Sequence, residues 1–206
     1  HEHTDHILGI VWMVRMIATA MRKGTYQGEL QIYCHQGLTD TISTICRLTM
    51  QGKFYKMIGS RIFLVPVEDG ETVHILDYDV TFFDILSTKA KQFGFTTTLK
   101  NGLKFTCAGD EPYNPDCHAY VEGSNWLLHE AFCLYRDREL FAPYEKHHST
   151  VKEACELAEE LNIPNLVLWH TEDKQLAQRK TLYIKEGRKY YHGNLLVPED
   201  REIIVL

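Results

Sequence analysis

The chain begins "HEHTDHILG", His1 to Gly9, and the reading of its first six residues decides the fold. Three histidines and an aspartate fall within one hexad. A His-x-His pair at a strand end throws both imidazoles to the same side, because strand side chains alternate with a period of two. Asp5 and His6 follow in the turn and add two more donors within reach of the same volume. Nitrogen and oxygen donors of this kind suit zinc, and also manganese or iron. A leftover purification tag would not carry an aspartate at this spacing ahead of a long apolar stretch. His1, His3, Asp5 and His6 are therefore candidate metal ligands.

The totals bound what surrounds the hexad. The chain has 206 residues, 44% of them hydrophobic and 24% charged, which is enough for one globular domain with a real core. The formal net charge of −6 does not favour a nucleic-acid surface, which usually declares itself by basic excess. Six cysteines are scattered with no CxxC pair, which points to a reducing, cytoplasmic setting. The apolar run from Ile7 to Met21 is broken by Arg15. It is too short and too charged to span a bilayer and reads as a buried helix, so no membrane partner is expected.

Outward from the hexad, that helix stops at Gly24. "GELQIYC" reads as a short buried strand, and "LTDTISTICRLTMQGK" as a helix capped by Asp40. "RIFLVPV", "ETVHILDYDVTFFDIL" and "FGFTTTLKNGLKFTCAGD" read as strands, the last folded on itself by a tight turn at Lys100–Gly102. "NWLLHEAFCL" is a buried strand running into a loop. "STVKEACELAEELNIP" is a helix capped by Ser149 or Thr150, and "NLVLWH" a buried strand ending in His170. "DKQLAQRKTLYIKEG" is an amphipathic helix closed by Gly187, and "REIIVL" a final strand. Interleaved strands and helices make the class α/β with mixed sheets.

Against this background, "HEHTDH" with "ILG" resembles the HxHxDH signature of the metallo-β-lactamase fold. "FTCAGD", ending in Asp110, is similar to that family's bridging aspartate segment, and "LVLWH" resembles the segment that ends in its last histidine ligand, His170. "LLHEAF" (His129, Glu130, Ala131) and "HHST" (His148, Ser149, Thr150) resemble two segments of the ribonuclease Z branch. The resemblance covers residues 1–206, read as a single domain. It implies an αββα sandwich of four layers, with two mixed sheets back to back and helices outside. It also implies strands ahead of the hexad, so the domain is expected to be incomplete at its N-terminus.

The same resemblance implies two divalent ions held by His1, His3, Asp5, His6, Asp110 and His170. Such a pair activates a bridging water as nucleophile and stabilises charge on a phosphoryl or carbonyl oxygen. Asp5 would orient that water, His148 would protonate the leaving group, and Glu130 would orient His148. One departure stands out: a further ligand histidine is expected near the end of "VTFFDIL", where the chain has Leu86. The ion held by His1 and His3 would then lack its third protein ligand.

Phosphodiester hydrolysis follows, on a small phosphodiester or an RNA 3′ end. The segment "HTEDKQ", which starts at His170, departs from the pattern of enzymes that process transfer RNA, and a small diester therefore competes. Two alternatives stand beside it: hydrolysis of esters, lactones or thioesters, and a metal-binding protein whose catalysis Leu86 has impaired. Relatives of this kind often form homodimers. Lys146 is a candidate phosphate contact, and Lys89 and Lys91 candidate residues at the cleft mouth. His147, His35 and the Cys117–His118 pair read as ordinary loop residues.

Overall fold

The computed structural model describes residues 1–174 and 176–206. By its contacts the chain divides into two compact units: His1–Asp69 with Ala90–Phe93, and Gly70–Lys89 with Gly94–Leu206.

The first unit is led by helix α1, Thr4–Lys23, which ends where the sequence places its stop: Gly24 adopts a left-handed φ of 74°. Ile7, Val14, Ala18 and Met21 are buried along one stripe, while Leu8, Trp12 and Met16 are exposed, so only one face of the apolar run is inside. His1 to His3 form no strand; His3 is the extended residue that opens α1, and Asp5 and His6 lie in its first turn rather than in a loop. Strand β1, Leu30–Cys34, pairs in parallel with β2, Ile62–Pro66, across helices α2, Gln36–Thr49, and α3, Gly52–Tyr55. Helix α2 starts four residues before the expected cap. His35, not Asp40, caps it: His35 Nδ1 accepts from the Leu38 amide at 3.2 Å, and Asp40 sits within the helix accepting from Gln36 Nε2.

The second unit is built on a seven-stranded mixed sheet in chain order. Its strands are β3, Thr72–Ile75; β4, Tyr78–Asp84; β5, Phe93–Thr98; β6, Lys104–Cys107; β7, Trp126–Glu130; β8, Asn165–Trp169; and β9, Asn194–Leu196. Strands β3 and β4 form an antiparallel hairpin, and so do β5 and β6, while β6 to β9 run parallel. Gly94 in β5 cannot be replaced by a larger residue: a Cβ there would lie 2.5 Å from the Phe83 ring and 2.6 Å from the Cys107 carbonyl. Short helices α4, His118–Val121, and α5, Arg138–Phe141, precede α6, Val151–Glu160. Thr150 opens α6, its amide and hydroxyl both donating to Glu153 Oε2. Helix α7 spans Leu176–Gly187; Gln175 of the expected "DKQ" start lies outside the described residues.

Leu127, Ala154, Ala158, Leu166, Leu168, Tyr183 and Leu195 pack as the core between the parallel strands and α6 and α7. The last strand is not "REIIVL". Asn194–Leu196 takes the free edge of β8 in register Asn165 to Asn194, leaving Ile203 and Val205 exposed with no strand partner among the described residues. β-propensity alone makes no strand where no edge is offered. No helix among the described residues is long and apolar enough to cross a membrane.

Candidate metal centre and acid–base pair

The first unit gathers imidazoles at the start of α1. His1 Nε2 lies 3.0 Å from His3 Nδ1, and the His1 and His6 rings are 4.4 Å apart between centroids. Asp5 is largely exposed, with Oδ2 3.4 Å from His6 Nε2. Its carboxylate stands in the first turn of the helix, where the exposed amides favour negative charge.

In the second unit the parallel strands do the positioning. Side chains just past the carboxyl ends of neighbouring parallel strands share one sheet edge, where α/β proteins commonly place ligands. Asp110 follows β6 after Gly109, whose φ of 87° turns the chain; Glu130 ends β7, and His170 follows β8. His170 has a left-handed backbone, φ 50°, a conformation with a local cost that tends to persist at functional sites. Asp110 is 2% exposed, and its Oδ2 lies 3.5 Å from His170 Nε2.

The loop after β7 completes the arrangement. The Phe132 amide donates to the Ser149 carbonyl, and Cys133 bridges to Thr150, so the HST segment is laid beside the end of β7. Fully buried Glu130 accepts the Ser149 amide on Oε1 at 2.6 Å and turns Oε2 toward His148 Nδ1 at 3.4 Å. Phe132 stacks under the His148 ring at 5.0 Å, and the His170 ring lies 4.9 Å from it. Glu130, His148 and His170 bring donor atoms within 4.8 Å of one another.

A model of the β-lactamase superfamily domain matches residues 1–171. The chain belongs to the β-lactamase superfamily. It is 35% identical to ribonuclease Z of Oceanobacillus iheyensis over 95% of this chain and 77% of that one. It is 28% identical to ribonuclease Z of Thermococcus sibiricus over 52% of this chain, spanning 33% of that relative's length. Among solved structures, the metallo-β-lactamase fold protein YhfI from Bacillus subtilis aligns with a TM-score of 0.73 at 17% identity, over 97% of this chain and 73% of that one. The fold is thus the α/β metallo-β-lactamase fold, and the matched relatives are ribonuclease Z-like hydrolases.

In this superfamily member each unit offers donors that fit divalent cations. Imidazole nitrogens and carboxylate oxygens are the set that zinc, manganese and iron accept. Leu86 lies two residues past β4, 47% exposed, with φ 59° and its amide donating to Asp84 Oδ1. Its side chain has no donor atom for a metal.

His147 is exposed, its Nδ1 2.9 Å from Thr88 Oγ1, while the adjacent His148 is buried. His35 is a structural cap with Nε2 2.9 Å from the Lys91 carbonyl, and burial lowers its pKa from the ordinary 6.5. His118 Nδ1 meets the Tyr113 hydroxyl at 3.0 Å. Lys146 lies over the Phe132 ring, and Lys89 donates to the Lys146 carbonyl and pairs with Glu111 at 3.6 Å. The six cysteines are free; burial raises Cys46 and Cys107 to about 11 and Cys133 and Cys155 to about 12, so these thiols stay protonated. Sequence reasoning missed Phe132, the platform for His148. An aromatic in a loop carries no local signal of what will stack on it.

Proposed function

We propose that this chain is a metal-dependent phosphodiesterase and that its two units belong to one metallo-β-lactamase domain. In this reading His1, His3, Asp5, His6, Asp110 and His170 hold two divalent ions, zinc by preference. The ion on His1 and His3 is the weaker, since Leu86 supplies no ligand. Bound ions would lower the pKa of a coordinated water and offset charge on a phosphoryl oxygen.

The observation that carries the reading is the Glu130–His148 pair at the carboxyl edge of the parallel strands. The Ser149 amide fixes one carboxylate oxygen, so the other favours a proton on His148 Nδ1. Nε2 is left to give a proton to the departing oxygen of a diester, and the Phe132 face holds the ring in that plane. Asp5, exposed at the start of α1 beside His6, would orient a water activated by the bound ions. Asp5, His148 and Glu130 are thus the catalytic and positioning residues, and none of their roles requires a nucleophilic thiol.

The substrate is a small phosphodiester, with an RNA 3′ end as the second choice, since the matched relatives are named ribonuclease Z. Net charge −6 favours the smaller one. The setting proposed is the cytoplasm and the assembly a homodimer, supported by the exposed row of Leu8, Trp12 and Met16 and checked by sedimentation. The deciding experiment assays cation-loaded protein on bis(p-nitrophenyl) phosphate and on p-nitrophenyl acetate, with and without chelator. Chelator-sensitive turnover of the diester is expected; turnover of the ester alone would overturn the reading. An RNA substrate should lose rate steeply between 50 and 200 mM salt, roughly as the number of phosphates contacted, and a small diester should not.

A further inference from the structure

At the far end of α1 from the histidines, the first unit carries a pocket of about 640 Å³ walled by four cations, Arg22, Lys53, Lys56 and Arg61, together with Met57 and Ser60. We propose that this pocket is a second binding site, separate from the candidate metal centre, for a compact anion of several linked phosphates such as tripolyphosphate. Helix α1 rises about 1.5 Å per residue, so Arg22 stands roughly 25 Å along it from Asp5 and His6. None of the pocket's residues is a candidate ligand or acid, so the site stands whatever bond the metal centre cleaves.

The charge of these walls is unbalanced. In a chain of net charge −6, no Asp or Glu occurs between Asp40 and Glu68, and that stretch holds Arg47, Lys53, Lys56 and Arg61. Among the described residues no carboxylate lines the pocket or pairs with any of its four cations. Like charges gathered on one concave wall repel one another, and a multiply charged anion relieves all of those repulsions at once.

Part of the wall is set in place in advance. The Arg61 guanidinium donates to the Gly28 carbonyl through Nε at 3.2 Å and Nη2 at 2.7 Å, and to the Tyr26 carbonyl through Nη2 at 3.1 Å. Its Nη1 is the nitrogen left to reach a ligand. Lys53 stands with Nζ 5.1 Å from the ring centroid of buried Phe54. The last carbonyls of α1, which would repel an anion, are engaged: Met21 accepts from the Gly24 amide, and Ala20 from those of Thr25 and Tyr26. Cations brought together from α1, α3 and the turn before β2 suit the spread oxygens of linked phosphates better than one small anion. The volume is that of a small-molecule pocket, not of a polymer groove.

Calorimetric titration of the zinc-loaded full chain with sodium tripolyphosphate and with orthophosphate, at about 50 mM salt, tests the site. Tripolyphosphate is expected to bind at least about tenfold more tightly than orthophosphate, and the double variant Lys53→Gln/Lys56→Gln to lose about tenfold or more of that affinity. Both lysines are exposed, so the variant should fold; Arg22→Gln, on α1, should lose several-fold and reads the opposite side of the pocket. Removing the same charge at exposed positions of the second unit, in Lys185→Gln/Lys189→Gln, should change the affinity by less than about twofold. Zinc drawn off by tripolyphosphate contributes the same heat in every variant, so the differences isolate the pocket. Equal affinity for the two anions, an equal loss in the two double variants, or no loss in the first would overturn the proposal. So would a single-stranded RNA held by Lys53 and Lys56 about tenfold more tightly than tripolyphosphate, because the face would then read a polymer.

Discussion

The candidate site residues of the first unit and those of the second are the same chemical groups held in opposite ways. His1, His3 and His6 sit at the open end of a helix, beside an exposed aspartate, within six residues of sequence. Asp110, Glu130, His148 and His170 come from four separate places in the chain and are buried or nearly so, with Glu130 fully enclosed and hydrogen-bonded by a backbone amide. The first arrangement is local and adaptable. The second is preorganised: its side chains were desolvated and oriented when the sheet formed, and that cost does not recur when a ligand binds.

If the comparison is right, the buried cluster should be the less tolerant of change. The largest effect is expected from His148→Ala, which removes the proton donor: the diester rate should fall about 10²- to 10⁴-fold, with the metal content by elemental analysis unchanged. Loss of metal in parallel would make His148 a ligand and break the division of roles. Next comes the core that holds the strand ends level. Leu166→Ala, at a fully buried position of β8, should cost about 2–5 kcal/mol in denaturant unfolding, whereas Trp12→Ala on the exposed face of α1 should cost far less.

A smaller loss, about 10- to 100-fold in rate with metal content unchanged, is expected for Glu130→Gln. A carboxamide keeps an acceptor for the Ser149 amide but places no carboxylate oxygen opposite His148 Nδ1, so an unchanged rate would reduce Glu130 to a structural residue.

The smallest effect belongs to the first unit and to pH. Burial lowers the pKa of His35 in the folded chain below its ordinary 6.5, so the unfolded chain takes up the proton first. The stabilising contribution of neutral His35 is whole above pH 6.5 and is lost as pH falls from there through the depressed folded value. Thermal unfolding at pH 7.5 and pH 5.5 should therefore show a slope that His35→Gln flattens; an equal slope in the variant would remove His35 from the account.

How much of this was legible beforehand differs between the units. The stop of α1 at Gly24, the tight turn at Gly102 and the start of α6 at Thr150 were each written in short-range rules of backbone freedom and capping. The start of α2 was not, because a histidine took the capping role that an aspartate was expected to fill, and did so with help from the Lys91 carbonyl far along the chain. Nor was the last strand: Asn194–Leu196 pairs with β8, and the apolar "REIIVL" forms no strand among the described residues. Leu86 read as a missing ligand, yet it also lines a cleft whose other walls arrive from residues 112 to 115 and from Tyr144.

The sequence by itself determined which side chains are candidates for the chemistry, since donor atoms, helix stops and strand-ending motifs are properties of residue type and near spacing. Only the tertiary structure decided how they are held: that Ser149 pins Glu130, that Phe132 lies under His148, and that Asp110 reaches His170. The physical reason is that ligand identity is a local property, whereas orientation and desolvation depend on parallel strand register and on loops whose partners lie tens of residues away.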